Sequence, residues 1–452
     1  MSFPKDFIWG AASASYQIEG AVKADGRTSS IWDTFCQQPG RVWGGHAEEI
    51  GPDHYHHLEE DVELMANLGL KAYRFSVAWT RILPAGTGPV NPRGIAFYDR
   101  LIDLLLEKGI EPWLTIFHWD YPETLFQRGG WLNAESPDWF AEYAGVLADS
   151  FGDRVTNWMT LNEPQVIAHY GHQIGIHAPG LKLALKDVLT IGHHLLLAHG
   201  KAVQILRTRC QKPTRVGVVP VGLHFLPATE IPADIETARK ATFAVTERNT
   251  WNIAWWADPL ILGTYPEDGL KLFAKEMPSI KSINMETIAQ PLDYFGTNIY
   301  NAEQVRAAVN GWEILPVEPN CPRTAMDWPV TPEALYWGPR FFYERYGLPV
   351  IIMENGMANN DWIHRDGNVH DPQRIDFITR YLEALHRAIA DGVKVEGYFH
   401  WSIMDNFEWA EGYRKRFGLV YIDYETGRRI PKDSFDWYRK VICSNGDNIQ
   451  EQ

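Results

Sequence analysis

IIMENGMANN, residues 351–360, extends an apolar run that begins at Val350 and ends it on Glu354, with Asn355-Gly356 directly behind. An apolar run of this kind reads as a buried strand. Asn-Gly is a common turn signal, so a lone glutamate there need be no more than the first solvated residue after the strand. A second stretch changes the weighing. NWMTLNEP, at 157–164, also runs from aromatic and apolar residues into a carboxylate, Glu163, followed by Pro164. Two buried strands that end alike on a glutamate ask for a fold that brings the ends together.

The rest of the chain supplies one. Short β-rich runs recur at 7–17, 72–79, 111–119, 157–164, 215–225, 294–300, 349–356 and 395–403, and helical patterns separate them. Asn91-Pro92 is an N-cap with proline at the first helical position, and Gly109 stops that helix. Thr331-Pro332 and Asp371-Pro372 start two more, which Gly347 and Gly392 end. Alternating strands and helices imply parallel pairing with right-handed crossovers. Eight such units predict an α/β fold, a single (β/α)8 TIM barrel with long loops at the C-terminal ends of the strands, as at 17–55 and 300–330. A doubly wound sheet is the alternative, but it normally carries a glycine-rich phosphate loop, and neither GxGxxG nor GxxxxGK[ST] is present. No linker interrupts the pattern, so residues 1–445 read as one domain and 446–452 as a frayed tail.

Composition narrows the function. A chain of 452 residues, 45% hydrophobic, can bury a large core. A net charge of −15 argues against nucleic acid or anionic membranes as partners. No apolar run is long enough to span a bilayer, and the N-terminal stretch has no signal-peptide pattern. Cys36, Cys210, Cys321 and Cys443 lie far apart without a CxxC pair, which fits a reducing compartment and a cytoplasmic protein. The 19 tryptophans are unusual, and though many must be core, they leave room for a surplus. Such a surplus suits a pocket for sugars, whose C–H faces pack on aromatic rings.

In a barrel the catalytic groups sit at the C-terminal strand ends. Glu163 and Glu354 then enter one pocket from strands 4 and 7. Gln17, Trp79, His118-Trp119, Asn298 with Tyr300, and His400-Trp401 end other strands. Glycosidic bond cleavage uses such a pair of carboxyls, one as proton donor and one as nucleophile or base. Arg74 on a strand is costly to bury unpaired, which asks for a partner carboxylate such as Glu354. The histidines of DHYHHL (53–58) lack the spacing of a metal site and are read as structural. His193, His194 and His199 are read as packed or surface residues, and Trp113, Trp158 and Trp256 as core. No metal or other cofactor is expected.

Seven stretches then match one family in order: FPKDFIWGAASASYQIEG, YRFSVAWTRI, FHWDYPETL, TLNEP, YFGTNIY, IIMENG and GYFHWSIMDNFEWAEGYRKRFGLVYID. Over nearly its full length the chain resembles glycoside hydrolase family 1, the β-glucosidase family. The resemblance implies a retaining exo-β-glycosidase acting on terminal non-reducing β-D-glucosyl residues of small β-glucosides and short oligosaccharides. β-D-fucosides and β-D-galactosides would be accepted too, transglycosylation would accompany hydrolysis, and cellulose degradation would be one setting. It implies Glu163 as acid/base, Glu354 as nucleophile, and Arg74 and Tyr300 as its supports. Asn162 would hold the sugar 2-hydroxyl, and Gln17, His118, Trp119, Glu408 and Trp409 the other hydroxyls. Asn298 and Tyr300 would also contact substrate, Trp401 would be the stacking platform, and Trp328 would line the leaving-group side. The chain departs from the family at Met353, where threonine is usual, at Ile299 (often tyrosine), at Asp327 (MDW for MGW) and at His57 (for arginine).

Rival readings fit less well. Phospho-β-glucosidases of the same family place Ser, Lys and Tyr where Glu408, Lys415 and Phe417 stand, and only Lys415 agrees. A thioglucosidase would lack Glu163. A sugar-binding pseudoenzyme tends to lose one of the two glutamates, and both are present.

Overall fold

The computed structural model describes residues 2–47, 51–279, 281–309 and 311–449. Among them, eight parallel strands form one sheet, numbered here in chain order: β1 Ile8–Ala12, β2 Ala72–Ser76, β3 Glu111–Phe117, β4 Asn157–Asn162, β5 Arg215–Val219, β6 Phe295–Asn298, β7 Val350–Asn355 and β8 Val395–Trp401. They lie in the order β5-β4-β3-β2-β1-β8-β7-β6. The two edges meet where Gly222 N–H donates to the Asn298 carbonyl at 2.8 Å and Asn298 N–H to that of Pro220 at 3.2 Å. This seam turns the sheet into a nearly closed barrel, as the eight apolar runs predict. Helices Leu58–Leu68, Pro92–Glu107, Ser136–Phe151, Leu185–Arg209, Ala334–Tyr346, Pro372–Ala390 and Asp433–Cys443 lie between the strands and after β8.

The barrel interior is filled by Ala12, Ala72, Trp113, Met159, Val219, Tyr294, Ile351, Met353 and Phe399, all fully buried. Trp113 packs between the rings of Tyr294 and Phe399, with centroids 5.7 and 5.2 Å away. Met353, where the family has threonine, is part of this apolar plug. Trp158 and Trp256 are buried in the outer layer of the core, as expected.

Several local expectations need correction. The first strand stops at Ala12, so Gln17 lies on the single turn Ser15–Ile18 and not at a strand end. The second stops at Ser76. Trp79 faces away from the site, flat against Tyr143 at 4.6 Å, with its indole N–H donating to the Gly86 carbonyl. The helix expected from Thr331-Pro332 begins at Ala334. The segment 300–330 is not plain loop, because Glu303–Ala308 and Gly311–Ile314 pair antiparallel and join Phe225–Pro227 in a small sheet. Within the tail expected to fray, Ile449 is buried, while 450–452 lie outside the described residues. Just before it, Asn445 accepts from Trp9 Nε1 and donates to Phe3 O.

The histidine cluster is structural in its contacts. His54 meets Asp61, His56 meets Asp53 and His57 meets Glu60, each on a different carboxylate. His193 and His194 meet Tyr265 and the Trp131 carbonyl, and His199 is buried against Thr160. Among the described residues no helix is long and apolar enough to cross a membrane.

Asn355-Gly356 is more than a turn. Asn355 Nδ2 donates to the Ile299 carbonyl at 2.8 Å, and Tyr398 donates to Asn355 Oδ1 at 2.9 Å. A Cβ on Gly356 would lie 1.9 Å from the Trp401 carbonyl oxygen. Only glycine allows the turn after β7 to approach the end of β8 this closely. Gly356→Ala should therefore destabilise the chain by about 1–3 kcal/mol or more, because backbone and not a flexible side chain must move. Urea unfolding measures it, and an unchanged midpoint would contradict the contact.

Candidate active site

Strict alternation along β7 aims Ile351 and Met353 inward and would turn Glu354 outward. The strand breaks its register at this point against both neighbours, between Ile352 and Glu354 beside β6 and between Ile352 and Asn355 beside β8. A bulge of this kind re-aims a side chain, and Glu354 lines the cavity at the barrel mouth. β4 breaks register against β5 between Met159 and Asn162, immediately before Glu163. Glu163 itself has a φ of +45°, a left-handed backbone that costs a non-glycine residue energy and is concentrated at functional sites.

Arg74, rising from β2 and fully buried, ties these ends together. Nη1 donates to Glu354 Oε1 at 2.7 Å and to the Met353 carbonyl at 3.1 Å. Nη2 donates to Asn162 Oδ1 at 2.6 Å and Nε to Thr115 Oγ1 at 3.2 Å. The second oxygen of Glu354 accepts from the Tyr300 hydroxyl at 2.7 Å. Glu163 Oε1 accepts from Asn298 Nδ2 at 2.8 Å, and the same amide reaches Asn162 Oδ1 at 3.1 Å.

The two carboxyls are therefore unequal. Burial raises Glu163, and the neighbouring charge of Glu354 raises it further, against weaker pulls from Asn298 and Arg74. Burial also raises Glu354, and Arg74 and Tyr300 pull it only part of the way back. Of the pair, Glu163 keeps the shared proton and Glu354 the charge. Burial, then the charge of Arg74, holds His118 well below its usual value, so its ring is neutral. Asn162 Nδ2 donates to His118 Nε2 at 3.0 Å, which leaves the imidazole proton on Nδ1. Among the described residues that Nδ1 has no partner, and neither do Gln17 Oε1 nor Glu408 Oε2.

The cavity measures about 650 Å³. His118, Trp119, Trp401, Glu408 and Trp409 line its inner part, and Trp328 stands beside Tyr300 at 5.2 Å on one side. An anion held by two donors thus faces a carboxyl that favours its proton, beside aromatic walls and unpartnered polar atoms. A bond that needs both a proton and a nucleophile can be broken there. Among the described residues no cluster of three or more His, Cys, Asp or Glu side chains is arranged to hold a metal ion.

Comparison with known proteins leads to the same family as the motifs. Residues 1–447 match the family described as glycosyl hydrolase family 1. This chain belongs to glycosyl hydrolase family 1. It is 46% identical to a 1,4-β-D-glucan glucohydrolase of Thermotoga neapolitana over 98% of this chain and 99% of that one. It is 43% identical to β-glucosidase A of Acetivibrio thermocellus over 99% of both. The solved β-glucosidase of Thermotoga maritima superposes with a TM-score of 0.90 at 45% identity, covering 98% of this chain and 99% of that one. That enzyme has also been solved in complex with glucoimidazole and with galacto-hydroximolactam.

Within this family member, Arg74, Asn162, Glu163, Asn298, Tyr300 and Glu354 form one hydrogen-bonded set, and His118 joins it through Asn162. Gln17 is fully buried, and its amide nitrogen donates to Asn406 Oδ1 and the Phe407 carbonyl, which leaves only Oε1 open. Trp119 gives its indole N–H to the Asn162 carbonyl at 2.9 Å, so it presents ring and not the hydroxyl donor expected of it. His400 is buried against Tyr438, away from the cavity that its neighbour Trp401 lines. The sequence reading missed the outer wall, where His224, Trp251, Asn252 and Trp312 line the cavity. They lie in connecting segments and a hairpin that match no motif. Asp327, at the MDW departure, has a φ of +61°, and its exposed side chain pairs with Arg323. Glycine suits that backbone, and aspartate is among the few other residues that tolerate it.

Arg74→Met would remove the charge that pulls Glu354 down, so deprotonation of Glu354 should move to higher pH. A raised native-state value means stability is kept at acid pH and lost as pH rises through it. The variant should be destabilised most above that point. Carboxyl NMR titration against a Glu354→Gln control reads the shift, and a downward movement would contradict the pairing.

Proposed function

We propose that this chain is a retaining exo-β-glucosidase that removes terminal non-reducing β-D-glucosyl units by double displacement. The observation that carries the reading is the asymmetry of the carboxyl pair, Glu354 clamped by Arg74 and Tyr300 and Glu163 beside Asn298 with its proton. Glu163 protonates the glycosidic oxygen while Glu354 attacks the anomeric carbon. The C–O bond to the leaving group breaks and a glycosyl ester on Glu354 forms. Glu163, now ionised, takes a proton from water. The water oxygen attacks the anomeric carbon, and Glu354 leaves as carboxylate. Retaining chemistry fits carboxyls about 5–5.5 Å apart.

Asn162 takes the 2-hydroxyl. His118 Nδ1–H, Gln17 Oε1 and Glu408 Oε2 are one open donor and two open acceptors for the remaining hydroxyls, with Trp409 adjoining. Trp401 lies beneath the ring, and Trp328 marks the leaving-group side. A cavity of about 650 Å³ has room beyond one sugar. The name of the Thermotoga neapolitana relative, a 1,4-β-D-glucan glucohydrolase, supports short cello-oligosaccharides among the substrates. Fucosides, which lack only the 6-hydroxyl, and galactosides are accepted as well, and acceptor sugars can replace water to give transglycosylation. The four free cysteines fit work in a reducing cytoplasm.

An NMR time course on 4-nitrophenyl β-D-glucoside should show β-glucose before α-glucose. The α-anomer first would exclude double displacement. Glu163→Ala should keep its first step on substrates with very good leaving groups and lose the second by roughly 10²–10⁴-fold. Azide should restore turnover and give the β-glycosyl azide. An α-azide would mean that the two glutamates exchange roles.

A further inference from the structure

Behind the Glu408 segment lies a set of buried charges that neither the proposed reaction nor the proposed sugar contacts use. Asp361, Asp371, Asp405, Arg374 and Lys432 are fully buried, with Arg416 at the rim. Lys432 Nζ donates to Asp361 Oδ2 at 2.6 Å and to Asp405 Oδ1 at 2.7 Å. Arg416 Nη1 donates to Asp405 Oδ2 at 2.5 Å, and the Gly418 N–H to Oδ1 at 3.0 Å. Arg374 donates to Asp361 at 2.7 Å and also pairs with Asp371, which Ser434 holds from the other side. Three carboxylates face three cations. Burial works against the charge on Asp361, but Arg374 and Lys432 override it and hold the carboxyl below its usual range.

Stability alone is a poor reason for such a set, because well-packed apolar residues often replace buried ion pairs without loss. Position is a better one. Asp405 lies in the segment between Trp401, at the end of β8, and Glu408. Asp361 lies in the segment that leaves β7 just beyond Glu354. Lys432, at the start of the last helix, bridges the two. The 402–408 segment is also pinned by Gln17 at Asn406 and Phe407 and by the Asp405 N–H to the Val420 carbonyl. The Glu408 Oε2 it delivers has no partner among the described residues to steady it. Its placement depends on the backbone beneath.

We propose that Asp361, Lys432, Asp405 and Arg416 form a positioning network that fixes the 402–408 segment against β7 and so sets where Glu408 meets the sugar. The inference rests on the reading of Glu408 as a hydroxyl acceptor. None of the four is a catalytic residue, since each acts through Glu408.

The test is a double-mutant cycle on 2,4-dinitrophenyl β-D-glucoside. Lys432→Met and Arg416→Met are each measured in the wild type and in Glu408→Ala. In the wild type each should lower kcat/KM by about tenfold to a hundredfold, the scale of a small misplacement. In Glu408→Ala the same changes should cost no more than about threefold, because the group they position is gone. Arg416 is at the rim, so Arg416→Met decides the matter if Lys432→Met does not fold. Equal losses in both backgrounds, or no loss in the wild type, would overturn the network as a positioning device and leave Glu408 untouched. A Glu408→Ala variant as fast as the wild type would remove the reading of Glu408 and the inference with it.

Discussion

The guanidinium of Arg74 is the constraint from which the site follows. A cation buried on a barrel strand without partners would cost several kcal/mol. Its neighbours on three other strands each supply an acceptor: Thr115 from β3, Asn162 from β4, Met353 and Glu354 from β7. Each bond fixes something further. Glu354 is kept ionised, which leaves the proton to Glu163. The Asn162 amide is oriented oxygen toward arginine, so its nitrogen faces His118 and selects the tautomer of that ring. One charge thus sets the protonation of both carboxyls and the direction of one hydrogen-bond donor in the cavity. Because every partner is a strand residue, this arrangement is held by the rigid part of the fold and not by loops.

Much of this is written plainly in the chain. Buried parallel strands read as apolar runs because both faces are covered, and all eight can be found that way. The Arg74 partnership follows from the cost of an unpaired buried charge. What cannot be read is parity. Period-2 alternation turns Glu354 outward, and only the register break beside it brings the carboxyl to the axis. No residue type in IIMENG announces that break. His400 fails for the same reason in reverse, since it ends an apolar run and still faces away from the cavity, whereas Trp79 fails because its strand stops at Ser76 and the chain has already turned into a short helix. The hairpin at 303–314 and the wall around Trp251 carry neither a motif nor a clear period.

On the proposed reading, one set of side chains in the pocket serves sugar and protein at once. Trp119 and Gln17 are both motif residues, yet each uses its amide or indole N–H on backbone or on Asn406. On that reading their part in recognition lies as much in holding the walls as in meeting hydroxyls. Glu408 is the opposite case, with a buried oxygen that has no partner among the described residues and an acidity suppressed by burial and then by the neighbouring Glu354, Glu163 and Glu411.

The barrel seam runs through Asn298. Its backbone N–H and carbonyl join β6 to the segment after β5, while its side chain supplies the amide that steadies Glu163. Every other neighbouring pair of strands shares a ladder of several residues, and this one is closed by a single bridge. Breathing of the sheet begins where pairing is thinnest, and here that place is also the proposed reactive centre. Warming would then loosen catalysis before the fold gives way, and engineers who stiffen this closure would be altering proton placement in the same stroke.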